Sequence, residues 1–142
     1  MNGAYLIAEM FAYYKTRDIS LLEKLDELFS TYGYCLNTLH SFTFEGASGF
    51  TKMQEIRKEF HKGLDSIGGL KVERTEDYSK GLNGLPKSDV LKYLMEGNCS
   101  VVVRPSGTEP KLKTYISVSA KTKDDAEEIE KKITEELNEF FK

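Results

Sequence analysis

The sequence predicts an α+β domain: a small antiparallel sheet with helices packed on one face, preceded by two further helices. Apolar residues recur at helical spacing in the first, central and last segments of the chain. Between these segments lie short runs rich in β-branched and aromatic residues, separated by Gly, Asn and Pro closely enough for hairpins. Hairpin-linked strands accompanied by a few helices are typical of the α+β class.

Composition and charge exclude several classes of protein. The 142 residues include 39% hydrophobic and 30% charged side chains, which is ordinary for a soluble globular protein, and the formal net charge is −3. That charge argues against nucleic acid as a partner. The most apolar early stretch is broken by Glu9, is too short for a bilayer span and does not resemble a signal peptide, so no membrane partner is expected. Cys35 and Cys99 lack metal-type spacing, which favours two packing residues in a reducing cytoplasm.

Two helices are predicted ahead of the sheet, the first over residues 3–17. Its apolar face comprises Ile7, Met10, Phe11 and Tyr14. Ser20 and Glu23 have the spacing of a capping box for the second helix, and Gly33 is expected to end it.

The middle of the chain is predicted to alternate between strands and one helix. The run "YCLNTLHSFTFEG" has the alternation of a strand, and Ser48 is interpreted as the cap of the helix that follows. The buried stripe of this helix is predicted to comprise Phe50, Met53, Ile56 and Phe60. A Gly-Gly turn leads to a strand at residues 70–75, and "SKGLNGLPKS" is predicted to be a loop. The run "DVLKYLME" is short enough to fit either a helix or a strand, and a strand is favoured because Gly97-Asn98 then makes a tight turn into "CSVVVR".

A long amphipathic helix is predicted at the end of the chain, with Thr122 as its cap. Its apolar face is predicted to comprise Ala126, Ile129, Ile133, Leu137 and Phe140. Because the chain opens inside a helical pattern, residues 1–35 are interpreted as the remnant of a preceding domain, and residues 36–142 as the domain that follows it.

The polar loop "RPSGTEP" between the last two predicted strands is longer and has more charged and hydroxyl-bearing residues than a hairpin turn requires. Arg104 offers a rigid fork of donors that suits a phosphate. Ser106 and Thr108 each offer a hydroxyl and a backbone N–H, and Gly107 between them can take a positive φ that brings the backbone close to a ligand. These residues favour a phosphate site, although on chemistry alone an ordinary solvated turn stays equally open.

The charged residues that follow the loop qualify this interpretation. Lys111 and Lys113 are expected to point to one face of the next strand. Glu109 would oppose a phosphate unless it orients Arg104 or faces away.

The stretch "RPSGTEPKLKTYISV", with "CSVVV" before it, resembles the phosphate-binding loop of the α-D-phosphohexomutase family. The family pattern is an arginine, one variable residue, then Ser-Gly-Thr-Glu-Pro and a basic position, which residues 104–111 match. Two further segments, "AEMFAYYKTRDISLLEKLDELFSTYGY" and "TFEGASGFTKMQEIRKEF", are similar to the end of the family's third domain and the start of its fourth. The resemblance covers essentially the whole chain and is closest to the phosphoglucomutase branch.

This resemblance implies the C-terminal domain of an enzyme of that family, with a fold like that of the TATA-box-binding protein and with the other domains of the same enzyme as its partners. Such enzymes interconvert hexose 1-phosphate and hexose 6-phosphate through a bisphosphate such as glucose 1,6-bisphosphate, with Mg²⁺ at a phosphoserine. The fourth domain holds the phosphate that is not reacting. Substrate-phosphate binding is therefore assigned by resemblance to Arg104, Ser106, Gly107, Thr108 and Lys113.

Other motifs of the family are missing from the sequence. No segment resembles its serine-nucleophile loop, its metal loop or its sugar-reading motif, so no catalytic or metal-binding residue is assigned and the chain alone is expected to be inactive. Phosphomannomutase and phosphoglucosamine mutase stay open as alternatives, because a phosphate loop does not touch the hydroxyls that distinguish their substrates. A non-catalytic phosphosugar-binding module also stays open. His40 and His61 are interpreted as structural residues.

Overall fold

The computed structural model describes residues 2–141, which fall into two compact units divided between Tyr34 and Cys35. The first unit contains helices α1 (Asn2–Lys15) and α2 (Leu21–Tyr32). The predicted capping box of α2 is confirmed, since Ser20 Oγ accepts from the Glu23 N–H at 3.1 Å and the Glu23 carboxylate accepts from the Ser20 N–H at 2.7 Å. Gly33 ends α2 at φ 90°, as expected. Neither helix contains a buried residue.

The second unit is built on a six-stranded sheet with helices α3 (Gly46–Lys62) and α4 (Lys123–Phe141). Its strands are β1 (Tyr34–Thr43), β2 (Ser66–Ile67), β3 (Leu70–Asp77), β4 (Leu91–Met95), β5 (Cys99–Pro105) and β6 (Lys111–Ala120). Their spatial order is β1-β6-β5-β4-β3-β2, and every pairing from β2 to β6 is antiparallel. Contacts of Asn37 with Ser117 and of Phe44 with Pro110 show that β1 also runs antiparallel to β6. The predicted α+β class is confirmed.

The two predicted glycine turns are present where the chain reverses between neighbouring strands. Gly68 and Gly69 have φ values of 62° and 78°, which is the left-handed pair that a two-residue hairpin between β2 and β3 requires. Gly97 and Asn98, at 71° and 58°, turn the chain from β4 into β5. Local turn chemistry therefore determines two of the sheet's connections.

Helices α3 and α4 cover one face of the sheet. The register aligns Leu91, Val103 and Thr114 across β4, β5 and β6, and all three are buried. The helices contribute Met53, Ile56, Phe60, Ala126, Ile133, Leu137 and Phe141 to the same core. The Phe60 ring lies 6.1 Å from that of Tyr93 on β4, and the Tyr93 hydroxyl donates to the Phe60 carbonyl at 2.5 Å. Burial raises the pKa of Tyr93 well above its usual range, so this hydroxyl stays a donor.

The edge strand β1 is joined to α4 by a cluster of polar side chains. Glu130 accepts hydrogen bonds from the Thr38 and Thr134 hydroxyls at 2.8 and 3.0 Å, and His40 Nε2 lies 2.9 Å from the same oxygen. Burial raises the pKa of Glu130, but the hydrogen bonds from His40, Thr38 and Thr134 outweigh it and leave that pKa below its ordinary value. This cluster accounts for His40 as a residue that links a strand to a helix.

Three predictions about helix ends and faces are wrong. Helix α3 begins at Gly46 with Glu45 at the cap position, so Ser48 lies inside the helix and caps nothing. Phe50 is 53% exposed, because the first turns of α3 face a surface cleft instead of the core. In α4 the buried phenylalanine is Phe141, four residues beyond Leu137, whereas Phe140 lies at the rim of the core against the Phe60 ring.

The predicted role of the two cysteines is right for one of them only. Cys99 is buried at the start of β5, as expected of a packing residue, whereas Cys35 is exposed at the start of β1. Its exposure follows from strand alternation, because Cys35 lies on the exposed face of β1 between half-buried Tyr34 and Leu36.

Candidate functional site

The loop at residues 104–111 leaves β5 at Arg104-Pro105 and re-enters the sheet at β6. Arg104 is the direct cross-strand partner of Lys113, and Pro105 that of Leu112. Cross-strand partners project from the same face, so Arg104 and Lys113 lie side by side on the face opposite the helices. Arg104 is exposed and Lys113 is half-buried. Two cations are thereby held next to each other at the mouth of the loop.

The loop is closed by its own backbone. The Ser106 N–H donates to the Lys111 carbonyl at 2.8 Å, and the Lys111 N–H donates to the Glu109 carbonyl at 2.8 Å. The Pro110 carbonyl accepts from the Phe44 N–H at 2.8 Å, which anchors the loop to the end of β1. The expectation that Ser106 offers its N–H to a ligand is therefore wrong, and only its hydroxyl is left for one.

Gly107 does not use the conformation that its residue type allows. Its φ is not positive, although glycine can take a positive φ, and a Cβ built on it would meet nothing within 4 Å. Within residues 2–141, the N–H groups of Gly107 and Thr108 donate to no backbone carbonyl. Both residues are exposed, so these two donors face solvent and can reach an anion.

The acidic residue of the loop is neutralised locally. Glu109 forms a salt bridge with Lys111, whose Nζ lies 3.0 Å from Glu109 Oε1. Glu109 is therefore paired with Lys111 and not with Arg104, and Arg104 forms no salt bridge with any described residue. Lys111 and Lys113 do share a face of β6, as predicted, because the buried residues Leu112 and Thr114 alternate with them.

A surface cleft of about 370 Å³ lies beside the loop, lined by Arg104, Pro105, Ser106 and Gly107. Its opposite wall comprises Phe50, Met53, Gln54, Arg57, Ser88 and Asp89, from α3 and the segment before β4. Thr108 and Lys113 do not line it. The five residues assigned by resemblance thus divide into three that share the cleft, one at the loop tip and one beside Arg104 on the sheet.

Sequence reasoning missed Arg57 and Asp89 as parts of this cleft. Asp89 lies in a segment that the sequence predicts only as a loop running into a strand, and nothing local pointed to its partner. Arg57 did carry a signal: it lies four residues after Met53 and three before Phe60, on the helix face where the apolar stripe predicts burial. A charged residue on such a face needs a partner, and here the partner is Asp89.

The described part of the chain offers no metal centre. Among residues 2–141, no three His, Cys, Asp or Glu side chains are grouped so that they could hold a metal ion. Mg²⁺ does not fit the donor set found here, so no step through it is assigned to these residues. No helix among the described residues is long and apolar enough to cross a membrane.

The described domain is thus an antiparallel sheet covered on one face by helices, with a cationic Ser-Gly-Thr loop between its last two strands. A sequence profile of the phosphoglucomutase/phosphomannomutase C-terminal domain matches residues 51–136, which include Arg57, Asp89 and the whole loop. The chain therefore belongs to the phosphoglucomutase/phosphomannomutase family and carries its C-terminal domain, as the resemblance predicted.

Curated relatives point to the phosphoglucomutase branch. A phosphoglucomutase of Staphylococcus aureus (strain MSSA476) is 34% identical over 131 residues, which is 83% of this chain and 23% of that protein. A phosphoglucomutase of Staphylococcus saprophyticus is 32% identical over 119 residues, which is 75% of this chain and 21% of that protein. This chain therefore spans about a fifth to a quarter of the length of these relatives.

A solved structure shows the same fold. The open form of pp63/parafusin, a phosphoglucomutase from Paramecium, matches with a TM-score of 0.54 at 15% sequence identity. The match covers 85% of this chain and 22% of that one.

Proposed function

We propose that this chain is the C-terminal part of a cytoplasmic phosphoglucomutase-type enzyme that interconverts hexose 1-phosphate and hexose 6-phosphate through a bisphosphate intermediate. Its own task is to hold the substrate phosphate that is not reacting, by means of Arg104, Ser106, Gly107, Thr108 and Lys113. The other domains of the same enzyme supply the transferring group and the Mg²⁺ that supports the transfer.

The observation that carries this proposal is a preformed, cationic and solvent-facing loop. Arg104 and Lys113 lie side by side, the Gly107 and Thr108 N–H groups point to no carbonyl within residues 2–141, and the loop needs no ligand to close. Guanidinium, ammonium, hydroxyl and amide donors all recognise phosphate oxygens, and a loop that grips only the phosphate does not depend on the pattern of hydroxyls on the sugar. Such a site accepts the substrate in either orientation, which interconversion of 1- and 6-phosphates requires.

Binding energy at a distant phosphate supports catalysis elsewhere. An anchored phosphate orients the reacting end of the sugar, so the entropy of positioning is lost before the transfer begins. The isolated chain supplies only one part of this anchor. Its affinity for a hexose phosphate is therefore expected to be weak, with a Kd on the order of 1 mM or above.

The test is a titration of the full 142-residue chain with glucose 1-phosphate, glucose 6-phosphate and inorganic phosphate, followed by backbone amide shifts. All three should bind, and the largest shifts should fall on Ser106, Gly107 and Thr108. Arg104→Ala should abolish the response. Arg74→Ala is the matched control, because Arg74 is an exposed arginine on β3 that pairs with Glu76 and lies outside the cleft.

Two outcomes would contradict the proposal. One is the absence of any shift at millimolar phosphate, and the other is a set of shifts centred away from residues 104–113. Equal losses in Arg104→Ala and Arg74→Ala would indicate a general charge effect in place of a site.

A further inference from the structure

The guanidinium of Arg57 lies in the cleft opposite the loop and is incompletely paired. Its Nη1 donates to Gln54 Oε1 at 2.8 Å, and its Nη2 donates to the Asp89 carboxylate. Its Nε is buried and has no hydrogen-bond partner among the described residues. A guanidinium offers five N–H donors, and the Arg57 side chain is 25% exposed, so its two terminal nitrogens retain donors that a ligand can take up.

Within residues 2–141, Arg57 pairs with one carboxylate, that of Asp89, and Asp89 also has other cationic neighbours. His61 Nε2 lies 3.9 Å from Asp89, and His61 Nδ1 lies 3.4 Å from Asp77. The neighbouring cleft, which Arg57 and Asp89 also line, adds three further cations, Lys58, Lys62 and Lys80. Asp89 is 39% exposed, so water screens its attraction for Arg57. Another anion can therefore replace Asp89 as the partner of Arg57.

We propose that Arg57 is a second phosphate-binding residue of the cleft, and that Asp89 holds it when no phosphate is bound. This inference rests on the proposed function of the loop. Arg57 lines the cleft from α3, and Arg104, Ser106 and Gly107 line it from the loop, so that a phosphate in the cleft lies between the Arg57 guanidinium and the loop. The Asp89 carboxylate competes with the phosphate for Arg57 and repels it within the same cleft.

Charge supports this assignment. The cleft is lined by two arginines and one aspartate, which leaves a single positive charge for a dianionic phosphate ester. A guanidinium binds carboxylate and phosphate oxygens with the same forked geometry, so Arg57 can exchange Asp89 for the ligand without changing the kind of bond it makes. Its location on a helix packed against the core keeps the group close to the loop.

The test compares Arg57→Gln, Asp89→Asn and the double variant in the 142-residue chain, with glucose 6-phosphate as the titrant. Arg57→Gln should weaken binding by about fivefold, and Asp89→Asn should strengthen it by about threefold, because the two residues act on the ligand with opposite sign. In the double variant the gain from Asp89→Asn should disappear, since no guanidinium is left to be released. Arg57→Lys, which retains the charge and the packing of the stem, should give an intermediate affinity and serves if Arg57→Gln does not fold.

A purely structural salt bridge gives a different pattern. Loss of either partner would then lower the melting temperature by a similar amount and leave the affinity unchanged, which would overturn the inference. A gain from Asp89→Asn that persists in the Arg57→Gln background would also overturn it, because Asp89 would then act only as a diffuse negative charge.

The same titrations separate this inference from the proposed function. If Arg104→Ala abolishes binding while Arg57→Gln and Arg57→Lys match the wild type, the loop keeps its function and the role of Arg57 is rejected. If the wild-type chain shows no binding at all, the proposed function of the loop is rejected, and the role of Arg57, which rests on it, is rejected as well.

Discussion

At the scale of single residues, some groups of the loop form the bonds that close it, and others keep hydrogen-bond donors available for a ligand. The Ser106 N–H donates to the Lys111 carbonyl, and the Lys111 ammonium forms a salt bridge with Glu109. Arg104 and the N–H groups of Gly107 and Thr108 are left facing solvent. The loop thus separates the residues that close it from those that can bind an anion.

Gly107→Ala tests the loop at one position. The φ of Gly107 suits any residue and a Cβ there has free space, so the free energy of unfolding should change by no more than about 1 kcal/mol. A phosphate held against this backbone would meet the new methyl group, and its affinity should fall by about tenfold or more. Amide-shift titration measures the affinity, and urea denaturation measures the stability.

The matched control for this substitution is Gly3→Ala, which also has free space and no positive φ but lies in α1. It should leave phosphate binding unchanged. Unaltered binding in Gly107→Ala would show that no ligand approaches the backbone there.

At the scale of elements, the short β2–β3 hairpin is fitted closely against α4. A Cβ on Gly68 would lie 2.5 Å from Ile133 Cγ1 and 2.8 Å from the Ile133 nitrogen, whereas a Cβ on Gly69 would meet nothing within 4 Å. Both glycines have positive φ, so both alanine variants carry backbone strain. Gly68→Ala should cost about 3 kcal/mol of unfolding free energy and Gly69→Ala about 1 kcal/mol, as measured by urea denaturation.

The comparison between these two glycines isolates the packing contribution. Equal losses in the two variants would mean that strain alone acts and that α4 does not press against the turn. Retention of wild-type stability by Gly68→Ala would contradict the helix–hairpin contact itself.

The Glu130 cluster between β1 and α4 makes stability depend on pH. The pKa of Glu130 is lower in the folded chain than its ordinary value, so the folded state binds fewer protons than the unfolded state as the solution is acidified. This contribution is complete above the unfolded pKa, near 4.5, and is lost as the pH falls through the folded pKa.

Glu130→Gln keeps the shape and one acceptor but removes the charge. It should cost about 1 kcal/mol at pH 7, with a smaller difference from wild type at pH 3. Urea denaturation at both pH values measures this. A constant difference across the range would show that the carboxylate charge does not contribute.

Much of the secondary structure could be predicted, because it follows from local chemistry. Helical and strand spacing, the capping box of α2 and the turns at Gly68-Gly69 and Gly97-Asn98 all depend on neighbours in sequence. The wrong predictions concern positions where distant residues decide. Phe50 has the spacing of a buried residue but faces the cleft, and the Arg57–Asp89 pair joins segments that are 32 positions apart. The direction of the Ser106 N–H likewise depends on how the whole loop closes.

At the scale of the whole molecule, the two units differ in how much they bury. Helices α1 and α2 contain no buried residue, and their apolar side chains Tyr5, Leu6, Leu22 and Tyr32 are more than 60% exposed. The sheet and its two helices contain the buried core of the described chain. The free energy of local opening should therefore be much smaller in the first unit.

Hydrogen exchange followed by mass spectrometry measures this difference. Amides of residues 2–33 should exchange far faster than those of β5 and β6, which pair with each other along their length. Strong protection in α1 and α2 would mean that they bury their apolar faces against a surface that this structure does not include.

The family assignment leads to a prediction about turnover. The chain should not convert glucose 1-phosphate to glucose 6-phosphate by itself, because neither a serine-nucleophile loop nor a metal loop occurs in its sequence. A coupled assay with added Mg²⁺ and glucose 1,6-bisphosphate measures this. Activity that disappears in Arg104→Ala would contradict the division of labour proposed for the domains.

The self-closed backbone of the loop has a consequence for rates. A pocket that must fold around its ligand adds a slow step to association, whereas one that is already shaped requires only collision and desolvation. Capture and escape of a phosphate ester should then both be rapid, so that a phosphate would visit this loop many times before it is retained.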